Sequence, residues 1–364
     1  MEIQCILFYQ TPRKDDTLES TLDHETAGGR MKLLGVSAPE RGAAPPERQN
    51  LPFYPPEALK DLDFDYIIVT ENSAAARHDQ TRSCIKRLLP PVLMRLYYKI
   101  MARLFSRKKL RQWQNYTGWG KTIERQPDRR FPERCSPVEG IPAEKIIPAR
   151  ALRIPGFRMD AYVSLRERGI TFLSDNCWGG LMYHTLGMEM RSPFINMFVN
   201  TDDFVKLIND LPRYLSLPLV PEKLCVRRGG AVAYPIVMLG DIRLHFNHVT
   251  SPEELADYAE KWYRRRERMD LNTLYVESCF VTTKEQEQYE SGFSSCPYPA
   301  LLFTPYPSDK YVQLPAFNEN APRYKGDFSE CTRDCAKNDY PGEMPFDILQ
   351  TFLTRTVQSR KEMV

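Results

Sequence analysis

The sequence predicts an α/β protein made of two layered α/β domains, and three observations carry that expectation. The chain has 364 residues, more than the roughly 250–300 at which a single core stops growing. Its clearest strand, Phe64-Asp-Tyr-Ile-Ile-Val-Thr70, is apolar on both faces, as a parallel strand covered by helices must be. Beyond Met159, strand-like and helix-like segments alternate to the C-terminus, the pattern of a layered α/β sheet.

The bulk composition is that of a folded globular chain: 42% of residues are hydrophobic and 27% charged, enough apolar material to fill a core. Fifty basic residues nearly balance 47 acidic ones, so no nucleic-acid partner is expected. The N-terminal Met1-Glu-Ile-Gln-Cys-Ile-Leu-Phe-Tyr9 lacks a basic leader and a long apolar run, and no stretch reaches eighteen apolar residues. A cytoplasmic location is the expectation. The nine cysteines are odd in number and irregularly spaced, which reads as reduced thiols rather than a disulfide framework. Cys331 and Cys335 form the single close pair. No histidine follows to complete a zinc set, so no metal is assigned.

In the first half, Ile3–Tyr9 reads as a buried strand and Met31–Ser37 as a second. A polar stretch with His24 and Gly28-Gly29 lies between them, and a proline-rich loop over 38–52 leads to a short helix start at Pro55-Pro56. This order resembles a Rossmann-like half-domain ending in Gly140-Ile-Pro-Ala-Glu-Lys-Ile-Ile147, a phrase similar to the close of N-terminal domains in glycan-modifying enzymes. The glycine-rich turn is missing, because Ile3–Tyr9 continues as Gln10-Thr-Pro-Arg-Lys14. A pyrophosphate would lose its close backbone approach. A structural scaffold is preferred over a nucleotide site, and no cofactor is assigned.

Residues Lys86–Arg134 read as an insertion, with fourteen Lys/Arg against three Asp/Glu and with Tyr97, Tyr98, Trp113, Tyr116 and Trp119 interleaved. Met94–Leu110 has the periodicity of an amphipathic helix with a basic face. Peripheral contact with an anionic membrane surface or polymer is one reading; a helical excursion packed by its aromatics is the other. The insertion is expected to project from the N-terminal domain.

Pro155-Gly156 marks the expected boundary, giving domains 1–154 and 155–364. Beyond it the patterns predict a helix over Met159–Glu167, a strand over Gly169–Ser174, a helix over Trp178–Leu186 and a strand over Phe194–Val199. A helix over Asp202–Leu215 follows, then strands over Tyr234–Met238 and Asp241–Phe246 joined at Leu239-Gly240. Ser251-Pro-Glu-Glu opens a helix running to about Arg268, with Ser as N-cap, Pro in the first position and Glu254 three residues on. Strands over Asn272–Glu277 and Ala300–Thr304 and a helix over Phe346–Arg355 complete the chain.

Chemistry is expected at Ser174-Asp-Asn-Cys-Trp-Gly-Gly180, between a strand and a helix. Cys177 stands at the helix N-terminus, where the dipole and unbonded N–H groups favour the thiolate. Gly179 and Gly180 lower helix propensity, so they serve either close ligand approach or tight packing. Asn176 and Ser174 offer hydrogen bonds to an oxyanion. A thiol nucleophile wants an imidazole. His184 lies two helical turns on, roughly 10 Å away by helical rise, which leaves His245 and His248. In Asp241-Ile-Arg-Leu-His245, residues Asp241, Arg243 and His245 share one strand face. Convergence of Cys177, Asp241, Arg243 and His245 on one pocket is the expectation, with His245 or His248 as base. A non-covalent polar site from the same residues and a purely structural role stay open beside it.

The phrases Ser-Asp-Asn-Cys-Trp-Gly-Gly-Leu-Met-Tyr-His-Thr-Leu-Gly187, Ser192-Pro193, Asp202-Asp203-Phe204, Tyr234–His248 and Lys261-Trp-Tyr-Arg-Arg-Arg266 resemble the bacterial exopolysaccharide biosynthesis-related family (domain of unknown function 1919). The resemblance covers most of residues 155–310. It implies capsule or exopolysaccharide synthesis and an α/β fold, with no settled reaction. The basic insertion and the Pro/Cys-rich segment after Thr304 depart from the family. The leading expectation is a transferase acting on a surface-polysaccharide precursor, with acyl transfer through Cys177 and a glycan or activated-sugar/acyl substrate. A glycosyl or phosphoglycosyl transferase is the alternative, with Asp202, Asp203 or Asp241 binding donor or metal; a non-enzymatic glycan-binding protein is the third.

Overall fold

A computed structural model describes residues 2–10, 16–39, 48, 50–70, 108–129, 138–226, 233–280, 283–306, 311–314, 332 and 346–354. The fold is mixed α/β, as the strand patterns predict. The first sheet contains β1 (Ile3–Phe8), β2 (Met31–Ser37), β3 (Phe53–Tyr54), β4 (Tyr66–Val69) and β5 (Ile146–Pro148), in the order β3-β2-β1-β4-β5. Every pairing in it is parallel, an order shared with doubly wound sheets. The crossover from β1 to β2 is α1 (Asp16–Ala27), in the stretch that reads as merely polar. Its inward face is half polar: Leu18 and Leu22, one turn apart, are buried together with Glu19 and Glu25.

The later strands divide into two sheets. β6 (Thr171–Ser174), β11 (Leu274–Cys279), β12 (Ala300–Thr304) and β13 (Val312–Gln313) form a parallel sheet. β7 (Phe198–Val199), β8 (Leu219–Val226), β9 (Ala233–Leu239) and β10 (Ile242–His245) form an antiparallel one. Tight connections cause the division. The turn between β9 and β10 is two residues, with Gly240 at φ +64°, and parallel pairing needs a crossover of a dozen residues or more.

The predicted helices of the second half are all present, with one of them broken in two and a further helix added over Thr283–Ser294. α2 is Met159–Arg168 and α3 is Trp178–Leu186. The helix expected over Asp202–Leu215 is broken into α4 (Thr201–Asn209) and α5 (Leu211–Ser216). Pro212 explains the break, since it has no N–H to continue a helix but suits a first turn. α6 is Pro252–Arg268, its cap Ser251 Oγ accepting the Glu254 N–H at 3.3 Å. α7 (Thr283–Ser294) and α8 (Ile348–Thr354) complete the described helices. Of the strand expected over Phe194–Val199, the last two residues alone pair, because Asn196 turns the chain at φ +57°.

Among the described residues, no strand of the first sheet lies beyond Pro148 and none of the other two precedes Thr171. One core nevertheless runs across residues 155–156, packing Cys5, Leu7 and Leu22 in the same cluster as Tyr162, Phe172, Trp178 and Phe352. A second core joins α4, α6 and the antiparallel sheet. The basic insertion also belongs to the second half where it is described. Its Trp113, Tyr116 and Trp119 rings lie 4.8–5.5 Å apart and pack into the second core. Gly120 and Ile123 donate backbone hydrogen bonds to Pro221 and Leu219 on β8. Over 108–129 the insertion is thus strapped to the second half rather than projecting from the first. Most of the amphipathic helix expected over Met94–Leu110 lies outside the described residues. Among the described residues no helix is long and apolar enough to cross a membrane.

Candidate functional site

β6 ends at Ser174, and the chain turns through Asp175-Asn176 into Cys177, the N-cap of α3. The turn is held by its own side chains. Ser174 Oγ donates to the Asn176 carbonyl at 2.9 Å and accepts the Gly179 N–H at 3.0 Å. Asn176 Oδ1 accepts the Trp178 N–H at 2.7 Å, while its Nδ2 donates to Asp175 Oδ1 at 2.9 Å. Two of the helix's open N–H groups are thereby capped from within. The Gly179 amide is already bonded to Ser174. Ser174 and Asn176 shape the turn, a role different from the oxyanion donors expected of them.

The two glycines serve packing. A Cβ on Gly179 would meet Ser174 Oγ at 2.9 Å and Phe172 Cβ at 3.1 Å. A Cβ on Gly180 would meet Ile195 Cγ2 at 3.1 Å. Both glycines are buried, and they let α3 lie close against β6 and the 195–196 turn.

The same turn recruits the second half of the site. The Val199 N–H donates to the Asp175 carbonyl at 2.9 Å, fixing β7 beside the end of β6. β7 pairs with β10 through Leu244–Val199 and His245–Phe198, and β10 continues into the Asn247-His248 turn. Thr250 N–H and Oγ1 both donate to the Glu254 carboxylate, at 2.6 and 2.7 Å, so the first turn of α6 anchors this loop. The outcome is contact between Cys177 and His248, with Sγ 3.6 Å from Nε2. The His248 imidazole holds its proton less tightly than usual, because burial disfavours the cation and Lys109 adds a like charge. Lys109 belongs to a helical stretch over 108–113 whose Trp113 Nε1 donates to the Thr250 carbonyl at 3.0 Å.

The other predicted residues lie elsewhere. His245 is buried, stacked on Phe198 at 4.2 Å, with Asn200 Nδ2 3.4 Å from Nε2 and Tyr234 Oη 3.4 Å from Nδ1. Asp241 sits at the β9–β10 turn, about 13 Å along the strand from His245, and is 53% exposed. It accepts from Tyr214 Oη at 2.9 Å and pairs with Lys206 and Arg213. Arg243 pairs with Glu222 on β8 at 3.1 Å. The expected convergence of Cys177, Asp241, Arg243 and His245 therefore does not occur. Sharing a strand face set their side, while distance along the strand separates them. Asp203 accepts the Arg243 backbone N–H at 3.0 Å, and Asp202 accepts from Tyr289, so both carboxylates hold α4 to its neighbours. Among the described residues no three His, Cys, Asp or Glu side chains gather as a metal-binding group.

Sequence reasoning passed over two buried carboxyls and a hydroxyl. Asp175 lies between β6 and β11, accepting from Ser278 Oγ at 2.5 Å. Burial pushes its carboxyl up to about 7, against the lowering hydrogen bonds of Ser278 and Asn176. Glu277 is fully buried on β11, with the Asn176 side chain beside its carboxyl. Burial, then the charge of Asp175, pushes it well above the usual range. A charged residue inside the apolar run Leu274–Cys279 was the legible sign of it. Tyr258 on α6 places a buried, unbonded hydroxyl near Cys177, and nothing in the local sequence marks it.

A family model described as a domain of unknown function (DUF1919) matches residues 149–337, which takes in Cys177, His248, Tyr258 and Glu277 but not Lys109. A protein of Haemophilus influenzae (strain Rd), described as an uncharacterized protein, is 31% identical over 150 residues, covering 38% of this chain and 67% of that one.

Proposed function

The chain belongs to the family of the domain of unknown function DUF1919, and from the thiol–imidazole contact within that domain we propose that it is an acyltransferase working through Cys177. The 3.6 Å approach of Cys177 Sγ to His248 Nε2 is the observation that carries the reading. Such contacts tighten when substrate binds. A base with a depressed pKa is neutral at pH 7 and ready to accept the thiol proton. Placement at the N-terminus of α3 favours the thiolate that results.

In the first step His248 takes the Cys177 proton and the sulfur adds to the donor's acyl carbon. The donor's leaving group departs with that proton, leaving a thioester. In the second step an acceptor hydroxyl gives its proton to His248 and attacks the thioester, and the proton returns to sulfur. The acceptor class, a surface-polysaccharide precursor, rests on the sequence resemblance. Peripheral contact with an anionic membrane belongs to the same proposal, with the exposed Lys108, Arg111, Lys121 and Arg125 among its described basic groups.

The test is acylation by p-nitrophenyl acetate followed by peptide mapping. Wild type is expected to carry one acetyl group on Cys177. His248→Ala should slow that step by about 10²–10⁴-fold, the usual worth of a general base. An unmodified Cys177 with acetyl on other cysteines would overturn the thiol mechanism and leave transfer without a covalent intermediate.

A further inference from the structure

We propose that Tyr258 is a further catalytic residue of this site, its hydroxyl donating to the acyl oxygen as negative charge develops there. The inference rests on the acyltransfer reading above. Tyr258 lies in the second turn of α6, its ring 4.9 Å from that of Phe246, two residues before His248. Its hydroxyl oxygen is shut off from solvent and makes no hydrogen bond. A buried O–H without an acceptor is less stable than one that is bonded, so such groups point to a function or a ligand.

The hydroxyl also lies where a thiolate at Cys177 bears on it electrostatically. Burial holds the phenol well above its ordinary pKa, the Arg265 cation opposing it and the thiolate charge adding to it. It therefore remains an O–H donor across the physiological range. The Trp178 and Gly179 amides at the start of α3 are already capped by Asn176 and Ser174. When Cys177 sulfur adds to the carbonyl carbon, the C=O electron pair moves onto oxygen. Tyr258 then acquires the acceptor it lacks, and the bond strengthens as the charge grows. When the tetrahedral adduct collapses, the C=O re-forms and the leaving group departs with its electron pair. Tyr258 keeps its proton throughout.

Two reagents separate this role from the nucleophile itself. Iodoacetamide alkylates sulfur by direct displacement and builds no charge on a carbonyl oxygen, whereas p-nitrophenyl acetate must pass through an oxyanion. Tyr258→Phe keeps the ring against Phe246 and removes the unbonded oxygen alone. The variant should acetylate Cys177 about 10²-fold more slowly, the usual loss of one oxyanion donor, while its iodoacetamide rate stays at the wild-type value. Equal acetylation rates in variant and wild type, with Cys177 acetylated in both, would overturn the role of Tyr258 and leave the nucleophile standing. An equal slowing with both reagents would also overturn it, by showing that the hydroxyl merely shapes the site. Failure of wild-type Cys177 to acetylate would remove the acyltransfer reading and this inference together.

Discussion

Glu277 lies beside Asp175 at the carboxyl ends of adjacent parallel strands, its Cα in register with Ser174, and the Asp175 charge raises its affinity for a proton. Both carboxyls are buried, and Asp175 accepts hydrogen bonds from Ser278 and Asn176. Both pKa values are raised by folding, so the native chain binds more protons than the unfolded one. The stability linked to this pair is complete below the unfolded carboxylate values, about 4. It is lost as pH climbs through the folded values, about 7 for Asp175. Glu277→Gln keeps the shape and removes one titration. Relative to wild type, the variant should gain about 1–3 kcal/mol between pH 5 and pH 8, the scale of a buried group's desolvation penalty. Urea denaturation at the two pH values measures the difference. A gap that does not change with pH would show that Glu277 keeps the same protonation in both states.

The two histidines of the β10 segment are expected to behave oppositely. His245 is stacked on Phe198 between Asn200 and Tyr234, whereas His248 touches the sulfur. His245→Phe keeps the stack and should leave the rate of Cys177 acetylation unchanged. Asp241→Asn, at the far turn, should do the same. His248→Ala should lose about 10²-fold or more, as expected for removal of a general base. Rates read by intact-mass spectrometry decide it. A loss in His245→Phe matching that in His248→Ala would move the base to His245.

The elements that were legible in the sequence had strong local signatures. β4 and β12 are apolar runs, and α6 opens with its Ser251 cap and Pro252. α1 was obscured because its inward face mixes Leu18 and Leu22 with the buried carboxylates Glu19 and Glu25, which read as polar in the sequence. β8 was obscured by Pro221-Glu222-Lys223, which an edge strand tolerates. Cys177 and His248 could both be named from residue type and turn context. Asp241 and Arg243 were grouped with His245 by period-two alternation, which says nothing about distance along a strand. Tyr258 is related to the site through Cys177, far away in the sequence, and no local pattern marks such a relationship.

Gly179 offers a stability test of the turn. An added methyl would press on Ser174 Oγ and Phe172 Cβ at 2.9 and 3.1 Å, and Ser174 Oγ is the group that accepts the Gly179 N–H. Gly179→Ala should lose about 1–3 kcal/mol, the usual cost of overpacking a filled core. Gly180→Ala should lose less, because its nearest neighbours, Ile195 Cγ2 and Asn196 Oδ1, stand farther off, at 3.1 and 3.4 Å. Denaturant midpoints test the ranking. A Gly179→Ala protein of wild-type stability but impaired transfer would assign the glycine to ligand approach instead.

The pH dependence of acylation should report on Lys109. His248 must be neutral to accept the Cys177 proton, and its pKa lies below the ordinary 6.5, first through burial and then through the Lys109 charge. The rate should therefore rise with pH along a limb centred below 6.5 and level off above it. Lys109→Met removes the like charge and leaves the burial in place. The limb should move upward toward 6.5 without reaching it, making the variant slower than wild type near pH 6 and equal to it near pH 7.5. Added salt should move the wild-type limb in the same direction, because Lys109 is half-buried and its field partly screened. The pH–rate profile of Cys177 acetylation, recorded at low and high ionic strength, supplies the check. If the limb is the same in both proteins and at both salt concentrations, Lys109 does not act on His248.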